Sequence, residues 1–323
     1  MGSLSFAIVG DASIASALGK FSSKTDITMY DQKTADTIVT YYIASSYPEK
    51  MQSLVQALAM ADCPILSISK LDKTIGEQIV AIDSFHFDHG FIFCAQEVSI
   101  DNLKMIIKGT SLEKFIFVEN VDALKSEIAK MEQKGAGTGA ADEKTSDGKT
   151  RIIVDQAFNV KGVGTVVLGA VKSGIVKVHD ALELLPAQKE VTIKSIQMHD
   201  NDVQEAPTGS RVGLSIKGAV ADELSRGDVM AAKGSMSFSK EFSIKFEKCR
   251  FYKGEIKADA QYHLAVGAKI NPARVKFEGA EGKNAANLKI ISEKPFAYSK
   301  DENCILLDMN SQTLRLAGSG KII

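Results

Sequence analysis

Residues 155–186 read DQAFNVKGVGTVVLGAVKSGIVKVHDALELLP, short apolar runs rich in valine, punctuated by glycine. The glycines have identifiable uses. Gly162 and Gly164 permit a tight strand reversal, Thr165–Val167 begin the returning strand, and Gly169 and Gly174 bracket a hairpin. The continuation VTIKSIQMHDNDVQEAPTGSRVGLSIKGAVADELSRGDVM, 191–230, keeps this rhythm and closes on the turn Arg226-Gly227-Asp228. Turns about every eight to twelve residues without helical periodicity predict a small β-barrel or sandwich.

Toward the carboxy terminus a break falls near KGSMSFSKEF, 233–242, after which EFSIKFEKCRF, YHLAVGAKINPARVKFEG and FAYSKDENCILLD repeat the β style. Toward the amino terminus, KGAGTGAADEKTSDGKT, 134–150, has the composition of an interdomain linker. Its EKTSDGKT is a decoy for a phosphate-binding loop, because Glu143 stands where glycine is needed and the tract runs into a strand rather than a helix. Before the linker, FAIVG, TIVTYYIAS, CPILSIS, FIFCA and KFIFVEN read as buried strands alternating with helices. One such helix is expected from Ser46 as N-cap, with Pro48 in its first turn and Met51, Leu54, Val55 and Leu58 on one face. Alternation of this kind implies a mostly parallel sheet. The domains are therefore expected at 1–133, 151–235 and 236–323, joined at 134–150 by the linker.

At 323 residues, 45% hydrophobic and 24% charged, the chain can bury several cores. No apolar run approaches the roughly 20 residues that cross a bilayer, and the first residues enter an apolar strand without a basic lead. A cytoplasmic protein is expected, with no membrane role. Phe6 stands where a myristoylation signal needs Ser or Thr. Cys63, Cys94, Cys249 and Cys304 are scattered, which predicts reduced, buried thiols rather than a zinc ribbon or disulfide framework. His86, Asp88 and His89 in HFDH lack a third neighbouring ligand and read as a polar loop, so no metal is expected. Net charge is −1, but residues 236–323 hold 15 Lys and Arg against 10 Asp and Glu, while residues 1–130 hold 11 against 16. A basic end fits a nucleic-acid partner.

The order of one α/β domain and two β domains resembles the translational GTPases related to elongation factor Tu. Residues 155–230 carry the closest match and are most similar to the branch containing the selenocysteine-specific elongation factors and initiation factor 2 gamma. INPARVKF, 270–277, and the terminal QTLRLAGSGKII are similar to the family's third domain. The resemblance implies a fold class of an α/β, degenerate GTPase-like domain followed by two small all-β barrels. No domain for reading a messenger hairpin follows the third domain in this sequence, so the selenocysteine role is not implied.

In the first domain the family's chemistry is missing. FAIVGDASIASALGK, 6–20, starts like a phosphate loop, yet eight residues separate Gly10 from Gly19, and Lys20 is followed by Phe21 rather than Ser or Thr. Where the family has its magnesium motif this chain has IASSY, 43–47, with Ile43, Ser46 and Tyr47 at the Asp, Gly and His positions. The base-reading motif matches ENVD, 119–122, and keeps only Asp122. Gly10, Lys20 and Asp122 are thus vestigial nucleotide residues. Phosphoryl transfer depends on positioned charge and metal, so the expectation is no enzyme and no cofactor.

The resemblance implies binding of aminoacyl-tRNA, with the ribosome or other translation factors as further partners and no DNA. Its 3′-end pocket maps onto Asp155, Gln156, Phe158, Gly162, Val166, Leu168, Gln197, His199, Asp200 and Ser215. Among these, Gln197, His199 and Asp200 are polar at a strand end, suited to an exposed base. Phosphate contacts are expected from Arg250, Lys253, Lys257, Lys269, Arg274, Lys276 and Arg315. Two alternatives stay open: a GTP- and magnesium-binding factor with a divergent site, and a structural subunit of a translation initiation complex.

Overall fold

The computed structural model describes residues 2–34, 37–133, 149–278 and 285–323. The expected linker and its decoy lie almost wholly outside the described residues. The first domain carries β1 (Gly2–Gly10), a 3-10 turn (Ala12–Ile14), α1 (Ala15–Leu18), β2 (Lys20–Lys24), β3 (Thr28–Lys33), β4 (Thr37–Ile43), α2 (Met51–Met60), β5 (Cys63–Ile68), α3 (Lys73–Phe85), β6 (Phe91–Cys94), α4 (Ile100–Ile107), β7 (Ile116–Val118) and α5 (Val121–Gln133). Its sheet runs β2-β3-β4-β1-β5-β6-β7. From β4 to β7 all neighbours are parallel, whereas β2, β3 and β4 pair antiparallel. Strand β4 is buried at every position, as expected for a parallel strand covered on both faces.

The hairpin β2–β3 is missing from the strands read off the sequence. Its first strand is almost wholly exposed, KFSSK, so it has no apolar signature. The helix expected from Ser46 begins at Met51 instead. Ser46 is held in the preceding turn, its N–H on Asp26 O (3.2 Å) and its carbonyl accepting Lys50 N–H (2.7 Å). Met51, Leu54, Val55 and Leu58 do bury as one face.

The second β region holds β8 (Arg151–Val160), β9 (Gly164–Ser173), β10 (Ile175–Lys177), β11 (Ala181–Leu185), β12 (Lys189–Met198), β13 (Asn201–Val203), β14 (Glu205–Pro207), β15 (Arg211–Lys217) and β16 (Val229–Ala231). The order β11-β16-β8-β9-β15-β12 closes through β11–β12 into a six-stranded barrel, with β13 beyond β12. The last region, β17 (Ser237–Lys248), β18 (Gln261–Val266), β19 (Lys269–Glu278), β20 (Ala285–Tyr298), β21 (Asn303–Leu307) and β22 (Leu316–Ile322), closes as β17-β20-β19-β18-β21-β22.

By compactness the chain divides into two units. The first is Met1–Gly148 with Ala170–Val176 and Met198–Val212, and the second is Lys149–Gly169, Lys177–Gln197 and Gly213–Ile323. Inside the first unit, Lys172 Nζ lies 2.6 Å from Asp62 Oδ1 and also donates to Ala61 O (3.1 Å) and Met60 O (3.4 Å), at the end of α2. Asp62 accepts Ser5 Oγ as well (2.6 Å), and both side chains of the pair are nearly buried, 13% and 12% exposed. Gly209, at φ +84°, presses so close that a Cβ would fall 2.7 Å from Ser3 O. Inside the second unit, Arg151 pairs with Glu302 (2.5 Å), and Leu185, Val229, Ala231 and Ala297 form a shared core cluster.

Candidate functional site

The residues expected to hold a nucleotide or a 3′ end centre on two places among the described residues: the corner at the carboxyl ends of β1, β5 and β7, and the outer face of the second-region barrel. At the corner, Gly10 takes φ +97°, and a Cβ there would fall 2.0 Å from Ser67 O, so the chain turns hard against the end of β5. The Asp11 N–H donates to Ser67 O (2.8 Å), and the Asp11 carboxylate accepts the Ser13 N–H (2.9 Å), capping the 3-10 turn. The Ser13 backbone bond, then its hydroxyl, hold Asp11 below the usual carboxylate range. It is ionised at neutral pH. The donors that would cradle a phosphate are thus spent within the chain, beside a fixed negative charge.

The other residues of the expected nucleotide set are dispersed. Lys20 is exposed at the start of β2, opposite Asp31, and not in a loop. Tyr47, at the position aligned with the family's histidine, donates its hydroxyl to Glu77 Oε2 (3.0 Å) and Thr74 O (3.3 Å) on α3. Asn120 accepts the Ala123 N–H (2.8 Å) at the start of α5, and Asp122 is exposed in its first turn. Asp72 caps α3 in the same way through Thr74 and Ile75 N–H (2.9 and 3.0 Å).

On the barrel, the structure sorts the ten predicted pocket residues. Strands expose alternate residues, and Val212, Leu214 and Ile216 point inward. Gly213 and Ser215 therefore face outward. Gln197 lies opposite Gly213 in the β12–β15 register, and Ser195 opposite Ser215. Leu168 borders the same spot, since a Cβ on Gly213 would meet Leu168 Cδ2 at 3.6 Å and Gln197 Cβ at 3.9 Å. Val166 shares the face of Leu168. The Ser215 hydroxyl is buried and has no hydrogen-bond partner. Leu168 and Gln197 thus border Gly213, while Ser215 lies two residues along the same side of β15 and Val166 two residues along β9 from Leu168. Gly213 carried no signal in the sequence reading, because nothing local distinguishes a glycine kept for space.

The remaining pocket residues do not join this face in the same way. Asp155 is 5% exposed and paired with Arg226 (Nε–Oδ1 2.9 Å), so its carboxylate is already engaged. Gln156 follows it half-buried, and Phe158 is 41% exposed near the end of β8. Gly162, at φ +82°, turns the β8–β9 hairpin. His199 and Asp200, at φ +46° and +60°, make the reversal between β12 and β13. They belong to the first unit, where His199 Nδ1 lies 3.9 Å from Asp31 Oδ2. Their polarity serves a turn, which a strand-end reading had assigned to a base.

Among the predicted phosphate contacts, Lys269 is a correction. Its Nζ lies 2.7 Å from Asp228 Oδ1 and 3.1 Å from Ser225 Oγ, with the side chain 12% exposed. Arg274 and Lys276 are exposed on one face of β19, Lys276 with Asp259 at 3.8 Å. Arg250, Lys253 and Lys257 are exposed between β17 and β18, and Arg315 is half-buried before β22. In the HFDH stretch, His86 closes α3 at φ +55° and Asp88 meets Lys114 at 3.4 Å. No cluster that could hold a metal ion occurs among the described residues. Cys63 and Cys304 are buried and their thiols are pushed up by burial, Cys304 to about 12. Cys94 and Cys249 are half-buried rather than buried.

The family model for elongation factor Tu domain 2 matches residues 164–231, the strands that build this face. An uncharacterized protein of Methanocaldococcus jannaschii is 33% identical over 309 residues, 96% of each chain. The selenocysteine-specific elongation factor of the same organism is 25% identical, over 88% of this chain and 68% of that one. The chain is thus similar to the translational GTPases, with an elongation factor Tu domain 2 match at 164–231. The family's fold extends over all of it: the crystal structure of elongation factor SelB from Methanococcus maripaludis, in complex with a GTP analogue, matches at a TM-score of 0.80. It covers 100% of this chain and 79% of that one, at 19% identity. No described helix is long and apolar enough to cross a membrane.

Proposed function

We propose that this chain is a cytoplasmic, translation-factor-like carrier that binds aminoacyl-tRNA without a GTP switch. In this reading the 3′ end and its aminoacyl ester lie on the barrel face around Gly213, and the basic last barrel meets phosphates. The observation that carries it is the buried, unpartnered Ser215 hydroxyl, two residues from Gly213 on the same side of β15. A buried polar atom without a partner is uncommon and calls for one. Val166 and Leu168 offer an apolar seat, and Gln197 lies across the register from Gly213.

The corner supports the absence of a switch. A phosphate within ~4 Å of Asp11 would meet a like-charge repulsion of about 4 kcal/mol at an effective dielectric near 20. No magnesium ligand, guanine reader or catalytic group is assigned there, so the chain is proposed not to hydrolyse GTP. The ribosome and other translation factors are the proposed partners, with no role for DNA.

A hydrolysis-protection assay tests the reading, timing the decay of the aminoacyl ester with and without protein in nucleotide-free buffer. The expected outcome is a longer half-life with protein alone. Protection only upon adding GTP would favour the divergent-switch reading, and no protection at all would overturn the carrier. Binding should also fall with salt, at a log–log slope of about −3 to −5 for three to five phosphate contacts, flattened by Arg274→Glu.

A further inference from the structure

The loop from Cys249 to Ala260, between β17 and β18, is pinned from beneath. The buried Tyr252 donates its hydroxyl to Asp308 Oδ2 (2.6 Å), with Lys248 Nζ 5.7 Å from its ring centroid. The Tyr252 N–H turns back onto Cys249 O (3.0 Å). Further along, the Tyr262 hydroxyl accepts the Lys257 N–H (3.0 Å), and the Asp259 N–H donates to Val275 O (2.9 Å). Between these pins Phe251 is turned outward, 45% exposed, although its neighbour Tyr252 is only 5% exposed. The Arg250 guanidinium lies 4.5 Å from the Phe251 ring centroid. Lys253 and Lys257 are exposed on the same loop.

We propose that this loop is a stacking site for one unpaired base of a bound RNA. The inference rests on the carrier reading and deepens it, adding base contact to a barrel assigned only phosphates. An aromatic face and a guanidinium plane are the two surfaces on which unstacked bases settle, and every base has such a face. Arg250 resting on Phe251 is itself held by cation–π attraction, so the platform is assembled before the ligand arrives. The flanking cations suit the phosphates on either side of the stacked nucleotide. A paired base inside a duplex is unavailable, so the ligand is a single strand, a loop or an unpaired end. Because the pins fix the backbone, the site does not have to order its own loop on binding.

The test uses the full-length protein with two probes: tRNA, and a uridine octamer carrying 2-aminopurine at its centre, whose fluorescence falls when the base stacks. Wild type is expected to quench the probe and bind both. Phe251→Ala should weaken binding at least about fivefold, the low end for one base–aromatic stack, and abolish the quench, while the salt slope stays unchanged. Phe251→Trp should retain both binding and quench. An equal loss in Ala and Trp variants would mean a disturbed loop and overturn the proposal, as would tRNA binding indifferent to Phe251. Quenching without tRNA binding would defeat the carrier reading and leave the stacking site standing. Failure of wild type with both probes would end both.

Discussion

The β1–α1 corner and the outer barrel face differ in how their polar groups are answered. At the corner, Asp11 N–H, Ser13 N–H and the Tyr47 hydroxyl all have partners inside the chain, and the charge left there is negative. On the barrel, a Cβ at Gly213 would meet only ordinary contacts, and the Ser215 hydroxyl, on the same side of β15, is buried without a partner. In the proposed reading the corner, with its polar groups satisfied internally, serves as structure. In the same reading the barrel face answers its unsatisfied hydroxyl with a ligand.

If the first domain is now structural, its strongest contacts should matter to folding and not to ligand. Lys172→Met would leave Asp62 nearly buried with only Ser5 to answer it. Removing one partner of a buried pair costs about 3–5 kcal/mol, and the low end is expected here because the Ser5 bond remains. Thermal or urea unfolding should show that loss. An unfolding midpoint within a degree of wild type would mean the pair is decorative, and the contrast with the corner would weaken.

The barrel face should behave in reverse. At Gly213 the added Cβ would meet only ordinary contacts, at 3.6 and 3.9 Å, so Gly213→Phe should fold and yet fill the position. Ester protection should fall at least about tenfold, ~1.4 kcal/mol. Ser215→Ala separates the two roles more finely. Deleting a buried hydroxyl that lacks a partner should leave stability unchanged or slightly raised, while ligand binding loses about 1 kcal/mol. Loss of stability together with unchanged binding would show that the hydroxyl serves the fold.

How far this was readable in the sequence depended on range. The parallel strands announce themselves because burial on both faces demands unbroken runs such as Ile38 to Ile43, and the barrel because its reversals demand glycine. The β2–β3 hairpin gave no such sign, since an exposed edge strand such as KFSSK has no apolar pattern to keep. At the candidate site, resemblance names Val166, Leu168, Gln197 and Ser215, and the structure sets Leu168 and Gln197 against Gly213 on the strand that carries Ser215. Asp155 and Lys269 were named beside them and are consumed by Arg226 and Asp228, partners fixed only when distant strands meet. The turn formed by His199 and Asp200 hid in plain polarity.

The corner itself can be probed more gently. Asp11→Ala should cost about 1 kcal/mol, the usual value of a lost N-cap. Asp11→Asn preserves a capping side chain and removes the charge, and calorimetry with GTP and GDP should still show no binding. The repulsion would be gone, but Lys20 faces solvent from β2 and no cation would greet the phosphates. A dissociation constant below about 10 μM in either protein, about −6.8 kcal/mol, would revive the switch.

The smallest expected effect concerns pH. Burial lowers the His89 pKa from 6.5, opposed by the nearby Asp88 charge, and its carbonyl accepts the Cys63 thiol in the first domain's core. Well above pH 6.5 the imidazole is neutral whether the chain is folded or not, and it has no effect on stability. As the pH falls below 6.5 the unfolded chain binds a proton that the folded chain resists, so folding weakens through that window until the depressed folded pKa is reached. His89→Gln should flatten this part of the stability profile. Ester protection by the barrel face, measured over the same pH range and corrected for free-ester hydrolysis, should not follow it. If protection tracked the His89 titration, the first domain would be coupled to the ligand after all, and its role would extend beyond support.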